Sequence, residues 1–356
     1  MAPKVPLVSI IIPAYNVAGY ICRAIESIQH QTLRDFELLV VDDGSCDRTG
    51  AILDAAAERD FRITVFHTPN AGAPAARNYA LERARGTYVM FFDADDWAES
   101  RMLADMVSYM QMHELELVIS GFFIDTYYGK DNQHTTEIKT YPTGVFASQD
   151  AFRAAAYQLF DQNLLYTPWN KLFLRSRIEE LNVRFKDTFW DDFPFVLDYI
   201  RDVSQVGVVG QPYYHFIRQR SDSETSRWRK EMYEKREEEH RWMCDLYEHW
   251  GLAQEPRSFE MIQRRYIERL IGCIENVCNP ACTLTKAEKI AAIQQMIETP
   301  QAQKAVLYSQ PKSAMMRCML LPIRYKNAQL AYREGVFISF VKRKNARLFA
   351  QLKARR

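Results

Sequence analysis

Four short apolar runs in the N-terminal third limit the folds open to this chain: Leu7–Ile12, Phe36–Val41, Ile63–Phe66 and Thr87–Phe92. They are largely apolar, with only Ser9, Glu37, Thr64 and Thr87 polar, as strands buried on both faces are. Between them lie segments of helical character at Ala18–His30, Asp47–Arg59 and Ala73–Ala84. Ile21, Ile25 and Ile28 fall on one face of the first, Ser45 or Asp47 can cap the second, and Gly86 stops the third. A further helix at Arg101–His113 and a strand at Leu115–Ser120 continue the rhythm. This β-α-β-α order predicts an α/β domain with a parallel sheet covered by helices on both faces. Sheets of that kind bind ligands beyond the carboxyl ends of their strands. The polar motifs fall there: Pro13-Ala14-Tyr15-Asn16, Asp42-Asp43-Gly44-Ser45 and Asp93-Ala94-Asp95-Asp96.

The last of these motifs carries the clearest chemistry. The run Tyr88–Phe92 leads straight into Asp93, Asp95 and Asp96. Three carboxylates that close repel one another unless a cation compensates. Hard oxygen ligands suit Mg²⁺ or Mn²⁺. The plainer alternative is a strand-to-helix turn whose aspartates cap the next helix.

Composition narrows the class. The chain has 356 residues, of which 47% are hydrophobic and 13% aromatic, enough for a large core and two domains. Seven cysteines without a framework spacing read as buried thiols of a reducing compartment, not as disulfides or a zinc site. There is no apolar run of the roughly 18 residues that a membrane span requires, and the N-terminus lacks a signal-like apolar segment. Net charge is +1 but uneven: residues 317–356 hold 11 Lys/Arg against the single acid Glu334, so that stretch is +10 and the remainder −9. Such polarity predicts contact with an anionic surface.

Taken together, Val8–Asn16, Gln31-Thr32, Phe36–Ser45, Gly72 with Ala76-Arg77-Asn78, and Gly86–Asp96 resemble the family 2 glycosyltransferases of GT-A fold. The resemblance covers about residues 5–220. It implies a GT-A domain, with a Rossmann-like, mostly parallel sheet, and a metal-dependent, inverting transfer from a nucleotide-sugar donor. Pro13, Ala14, Tyr15 and Asn16 would line the donor, with the Tyr15 ring stacking on the base. Asp43 would accept the N3–H of uracil beside Asp42. Arg77 would face the diphosphate at a helix start, where the helix dipole also favours anions. Asp93, Asp95 and Asp96 match the D-x-D motif, with Asp96 first and Asp95 second as holder of Mn²⁺ or Mg²⁺.

Inversion requires a base on the opposite side of the sugar. Phe189-Trp190-Asp191-Asp192-Phe193 resembles the family's acidic pair at a helix head, with Asp192 at the base position and Asp191 in place of the commoner glutamate. Thr167–Phe173 resembles a tryptophan-lysine segment of bacterial members, in which Trp169 and Lys171 would line the donor. His215–Ser226 resembles a loop that closes over the diphosphate, with Arg218, Arg220 and Ser221 as donor contacts and His215 as an added metal ligand. Ordinary structural roles remain open for each: turn and cap aspartates, an exposed arginine, a core tryptophan, a strand histidine.

The expected organisation is a transferase domain over residues 1–225, split near residue 120 into a nucleotide-sugar half and an acceptor half. A helical domain follows at 226–311, then a basic amphipathic tail at 312–356. The tail suits an interfacial helix on an anionic inner leaflet. Nucleic acid is not expected, because no nucleic-acid motif accompanies the charge. The expected partners are a nucleotide sugar and a glycan or lipid-linked acceptor of bacterial surface-polysaccharide or lipopolysaccharide synthesis, at the cytoplasmic face of the membrane. A nucleotidyltransferase would carry a glycine-rich phosphate loop where Pro13–Asn16 stands. A catalytically silent sugar-nucleotide-binding subunit would not need its acids intact.

Overall fold

The computed structural model describes residues 5–128, 133–219 and 228–344. Its first seven strands and helices alternate: β1 (Val8–Ala14), α1 (Ile21–Gln29), β2 (Phe36–Asp42), α2 (Thr49–Arg59), β3 (Ile63–His67), α3 (Ala73–Leu81) and β4 (Tyr88–Phe91). β5 (Trp97–Ala98) and α4 (Met102–Met112) follow, then β6 (Leu117–Tyr128), β7 (Gln133–Lys139) and β8 (Gly144–Val145). Next come α5 (Gln149–Asp161), β9 (Lys171–Leu174), α6 (Arg175–Glu180), α7 (Asp192–Ile200) and β10 (Val206–Gln219).

One ten-stranded sheet runs β3-β2-β1-β4-β9-β6-β10-β5, with β7 beside β6 and β8 beside β10. β1 pairs in parallel with β2 and β4, and β2 with β3. Beyond β4 the sheet changes character, since β9 is antiparallel to both β4 and β6. β1 sits at the centre of the parallel half, so Val8 and Ile10–Ile12 are buried whichever face they point to. The helix α1 buries Ile21, Ala24, Ile25 and Ile28, its apolar stripe. α3 packs on β1 and β2, and α2 on β2 and β3.

Cα packing divides the chain into two units, Met1–Asp125 with Thr136–Ile217, and Thr126–Thr135 with Arg218–Arg356. The division therefore falls at Ile217, before the expected boundary at 225, and the tip of the β6–β7 hairpin counts with the second unit. That unit is helical: α8 (Met232–His249), α9 (Pro256–Val277), α10 (Lys286–Glu298), α11 (Pro300–Tyr308), α12 (Ala314–Arg324) and α13 (Ala328–Lys344). A capping box of Thr285 and Glu288 starts α10. Met316, Met319, Ile323, Ala331 and Ile338 join Ile267, Leu270 and Ile274 of α9 in one apolar core. Residues 314–344 thus belong to the helical unit instead of forming a separate tail. Among the described residues no helix is long and apolar enough to cross a membrane.

Candidate active site

The loops after β1 and β2 are laced together. Asn16, at φ +52°, donates its backbone N–H to Ser45 Oγ (3.0 Å), while its Oδ1 accepts from Cys46 N (2.8 Å). Val17 N and Ala18 N donate to Thr49 Oγ1 and Asp47 Oδ2. Pro13, next to last in the strand, is half-buried and Ala14 is buried, its carbonyl accepting from Asp43 N. The Tyr15 side chain is left outside this lacework, 49% exposed. A ring held out by a fixed backbone is a platform for a flat ligand.

The two acids of the second motif face inward. Asp42 accepts from Ser45 N (3.1 Å) and meets His67 Nδ1 (2.9 Å), while the other His67 nitrogen meets Asp54. Burial opposes ionisation of Asp42, yet the hydrogen bonds from Ser45 and His67 hold its carboxyl below the usual range. Asp43 accepts Ala71 N and Gly72 N, both at 2.8 Å. Gly72 has φ +89°, open to glycine, and begins the turn into α3. The Asp43 carboxylate thus fixes the entry to the helix that carries Arg77, and both of its oxygens already serve backbone donors.

The three aspartates after β4 part company. Asp96 is fully buried; Oδ2 accepts from the Tyr214 hydroxyl (2.7 Å) and Oδ1 from Ile217 N (2.8 Å). Burial first, and the neighbouring charges of Asp95 and Asp93 second, push its carboxyl well above the usual range. This geometry moves Asp96 from first-choice metal ligand to an anchor of β10, because neither oxygen faces outward. Asp95 is exposed, and its main-chain carbonyl accepts from Arg23 Nη2 (2.7 Å). The surrounding protein and the charge of Asp93 push its carboxyl up to about 6. Asp93 is half-buried; its N–H donates to the Tyr214 hydroxyl (3.1 Å) and its Oδ1 accepts from Arg77.

Arg77 joins the motifs. Its guanidinium is buried, with Nη2 donating to Asp93 Oδ1 (2.9 Å), Nη1 to Asp191 Oδ2 (2.5 Å), and Nη1 lying 3.4 Å from Asp192 Oδ1. It also sits over the Phe185 ring at 5.2 Å. Burial works against its charge, but the carboxylates of Asp192, Asp93 and Asp191 raise its pKa further. One cation, 114 residues before Asp191 in the chain, therefore links the acids after β4 to the acids at the head of α7. As an expected diphosphate contact, Arg77 is here occupied by carboxylates.

Asp192 stands apart from the satisfied acids. Its Oδ1 is buried without a hydrogen-bond partner, although a quarter of the side chain (25%) reaches solvent. Burial, opposed by Arg77 and helped by the charges of Asp191 and Asp93, pushes its carboxyl up to about 8. Asp191 is raised too, mainly by burial and against the pull of Arg77. A carboxyl tuned close to neutrality and only loosely held is able to take a proton from an incoming hydroxyl.

Three other expected ligands are built into the interior. Lys171 is fully buried, with Nζ donating to Leu164 O (2.5 Å), Thr167 O (2.5 Å) and Asn170 Oδ1 (2.8 Å). Burial lowers its pKa well below the usual value, with the charge of Asp192 opposing. Trp169 is buried, stacked on Tyr214 (4.3 Å between centroids) and edge-on to Phe122. His215 lies between the rings of Trp97 (3.5 Å) and Phe123 (4.3 Å), with Nδ1 on Asp125 (2.7 Å) and Nε2 on Glu99 (3.3 Å). These bonds favour the core and strand roles over sugar or metal contact. Arg218 lies near the end of β10 and counts with the second unit. Arg220 and Ser221 lie outside the described residues. Sequence reasoning missed Tyr214, whose hydroxyl joins Asp93 and Asp96, and Arg23. The only signal for Tyr214 was its place in an apolar strand, where a buried hydroxyl needs partners.

The sequence model for glycosyl transferase family 2 matches residues 9–181. The uncharacterized glycosyltransferase EpsJ of Bacillus subtilis (strain 168) is 30% identical over 256 residues, 70% of this chain and 72% of EpsJ. The chain belongs to glycosyl transferase family 2. Another similar family protein is the cholesterol galactosyltransferase of Borreliella burgdorferi, 30% identical over 212 residues, 58% of this chain and 59% of that one. Among solved structures, S. aureus TarS in complex with UDP-GlcNAc superposes with a TM-score of 0.60 over 95% of this chain and 92% of that chain. At 18% identity that likeness is one of fold, GT-A, for this family 2 glycosyltransferase.

Proposed function

We propose that this glycosyltransferase moves a single sugar, with inversion, from a nucleotide diphosphate donor, UDP-linked, to a hydroxyl of a glycan or lipid-linked acceptor. The observation that carries the mechanism is Asp192, a carboxyl poised near neutrality with one buried oxygen that makes no hydrogen bond. The acceptor oxygen forms the new bond to the anomeric carbon as the bond to the diphosphate breaks, and Asp192 takes the acceptor's proton. Arg77 restrains the pKa of Asp192 and fixes the α7 acids relative to Asp93.

On the donor side, Tyr15 offers the base a stacking face, and Asp42 and Asp43 hold the loops that frame it. Asp95, with Asp93 beside it, fits a divalent cation: it is exposed, and its neighbour's charge disfavours its ionisation until a cation arrives. Mg²⁺ and Mn²⁺ are commonly bound by one or two carboxylates together with substrate phosphates. Bound there, Mn²⁺ or Mg²⁺ would neutralise charge on the departing nucleotide diphosphate. The UDP-GlcNAc complex of TarS supports a UDP donor. The similarity to bacterial glycosyltransferases supports transfer to a bacterial glycan, and a place in surface-polysaccharide or lipopolysaccharide synthesis at the cytoplasmic face, with peripheral membrane attachment, is part of the proposal.

The test is release of UDP from a panel of UDP-sugars with Mn²⁺. Wild type should turn over at least one donor. Asp192→Asn should retain donor binding and lose on the order of 10²–10⁴ in rate. Neither turnover nor donor binding across the panel would sink the proposal.

A further inference from the structure

The helical hairpin of α12 and α13 presents a second apolar face that the core does not use. Its inner positions, Met316, Met319, Ile323, Ala331 and Ile338, are consumed by packing within the helical unit. The outer face should therefore be polar on an ordinary surface helix. Instead, Leu321 of α12 is 54% exposed, and Leu330, Val336 and Phe337 of α13 are exposed as well, Phe337 to 66%. Leu330, Arg333 and Phe337 follow one another at three- and four-residue spacing, which puts them on one side of α13. Arg317 and Arg324, exposed on α12, flank Leu321 at four and three residues.

Charge decides what such a face meets. Residues 317–344 carry seven Lys/Arg (Arg317, Arg324, Lys326, Arg333, Lys342, Arg343, Lys344) against Glu334 alone. Glu334 is itself half-buried, so it does little to dilute the outward positive field. A second copy docking through the same face would bring like charges together across a two-fold interface. An acidic surface with an apolar layer beneath it satisfies both the arginines and the exposed Leu and Phe side chains.

We infer that the outer face of the α12–α13 hairpin, with Leu330 and Phe337 as apolar contacts and Arg317, Arg324 and Arg333 as cations, docks on an anionic lipid bilayer. This deepens the proposed peripheral attachment and changes its residues: the contact is made by the outward stripe of a folded hairpin, not by the apolar face that lies in the core.

Flotation with vesicles of phosphatidylglycerol mixed with phosphatidylcholine, against pure phosphatidylcholine, tests the inference on the full chain. The wild type should float with the anionic vesicles only, and less at high salt. Arg317→Glu/Arg324→Glu/Arg333→Glu should weaken partitioning by roughly tenfold or more, and Leu330→Ser/Phe337→Ser should weaken it on anionic vesicles while leaving helical circular dichroism unchanged. Equal flotation on neutral vesicles, or a charge-reversed variant that floats like wild type, overturns it. So does a concentration-dependent dimer in light scattering that Phe337→Ser abolishes, since a second copy then covers the face. Flotation needs neither donor nor acceptor, so its failure leaves the transferase proposal standing, and the reverse also holds.

Discussion

Asp96 and Asp192 are both buried acids with strongly raised pKa values, yet they serve opposite ends. Around Asp96, a hydroxyl and a backbone N–H meet each oxygen, and the group ties β4 to β10. Around Asp192, an oxygen is left buried without a hydrogen bond, and the cation 3.4 Å from it is shared with two other carboxylates. Satisfied acids build the scaffold; the acid left short of hydrogen bonds is the one proposed as the base. Asp42 and Asp43 fall on the first side of that line, and Asp95 on the second.

The largest test of the contrast is Arg77→Met. It leaves three crowded carboxylates without their shared cation, and removing one partner of a buried ionic cluster costs about 3–5 kcal/mol. Thermal unfolding should drop by many degrees, and activity with it. If Arg77→Met unfolds within a degree of wild type, the cluster is not held together as described.

A middle-sized test compares neighbours. Asp96→Asn strands a buried donor and should cost about 1–3 kcal/mol, read in denaturant unfolding, while the folded fraction keeps activity. Asp95→Asn, at an exposed position, should stay within about 0.5 kcal/mol of wild type but lose Mn²⁺-dependent turnover. The reverse pattern would exchange their roles.

The smallest effect is a slope with pH. Folding raises the Asp192 pKa from 3.8 to about 8, so between those values the native state binds a proton that the unfolded chain has released. Stability contributed by this group is present at low pH and falls as pH rises through that window. Asp192→Asn removes the slope and should be more stable than wild type by roughly 1–2 kcal/mol near pH 8, while inactive. A variant no more stable at pH 8 than at pH 5, relative to wild type, would contradict the raised pKa.

Much of the parallel half was legible because its strands are near-continuous apolar runs punctuated by Pro13, Gly44 and Gly86. Short strands were not legible. β5 and β8 are two residues each, and β9 is four, so they exist only by pairing with distant partners. β6 runs on past Gly121, beyond the expected end of the strand at Ser120, because that glycine lets another strand close in: a side chain on it would come within 3.2 Å of the Pro212 backbone of β10. The site was legible as a set of motifs, but not in its division of labour. Which of Asp93, Asp95 and Asp96 turns inward depends on Tyr214, and nothing local to the motif announces it.

The Tyr214 hydroxyl has a temporal consequence as well. It bonds residues 121 and 118 positions earlier in the chain, and Ile217 N reaches back 121 to the same acid. Contacts with so long a sequence separation form late and slow folding. During synthesis, the acidic turn after β4 leaves the ribosome well before the strand that pins it. A nascent chain that has reached only residue 181, the end of the family match, carries the signature motifs but lacks both that pin and the proposed base at Asp192. Catalytic competence should therefore appear in one step, when β10 docks, rather than accumulate as each motif is made.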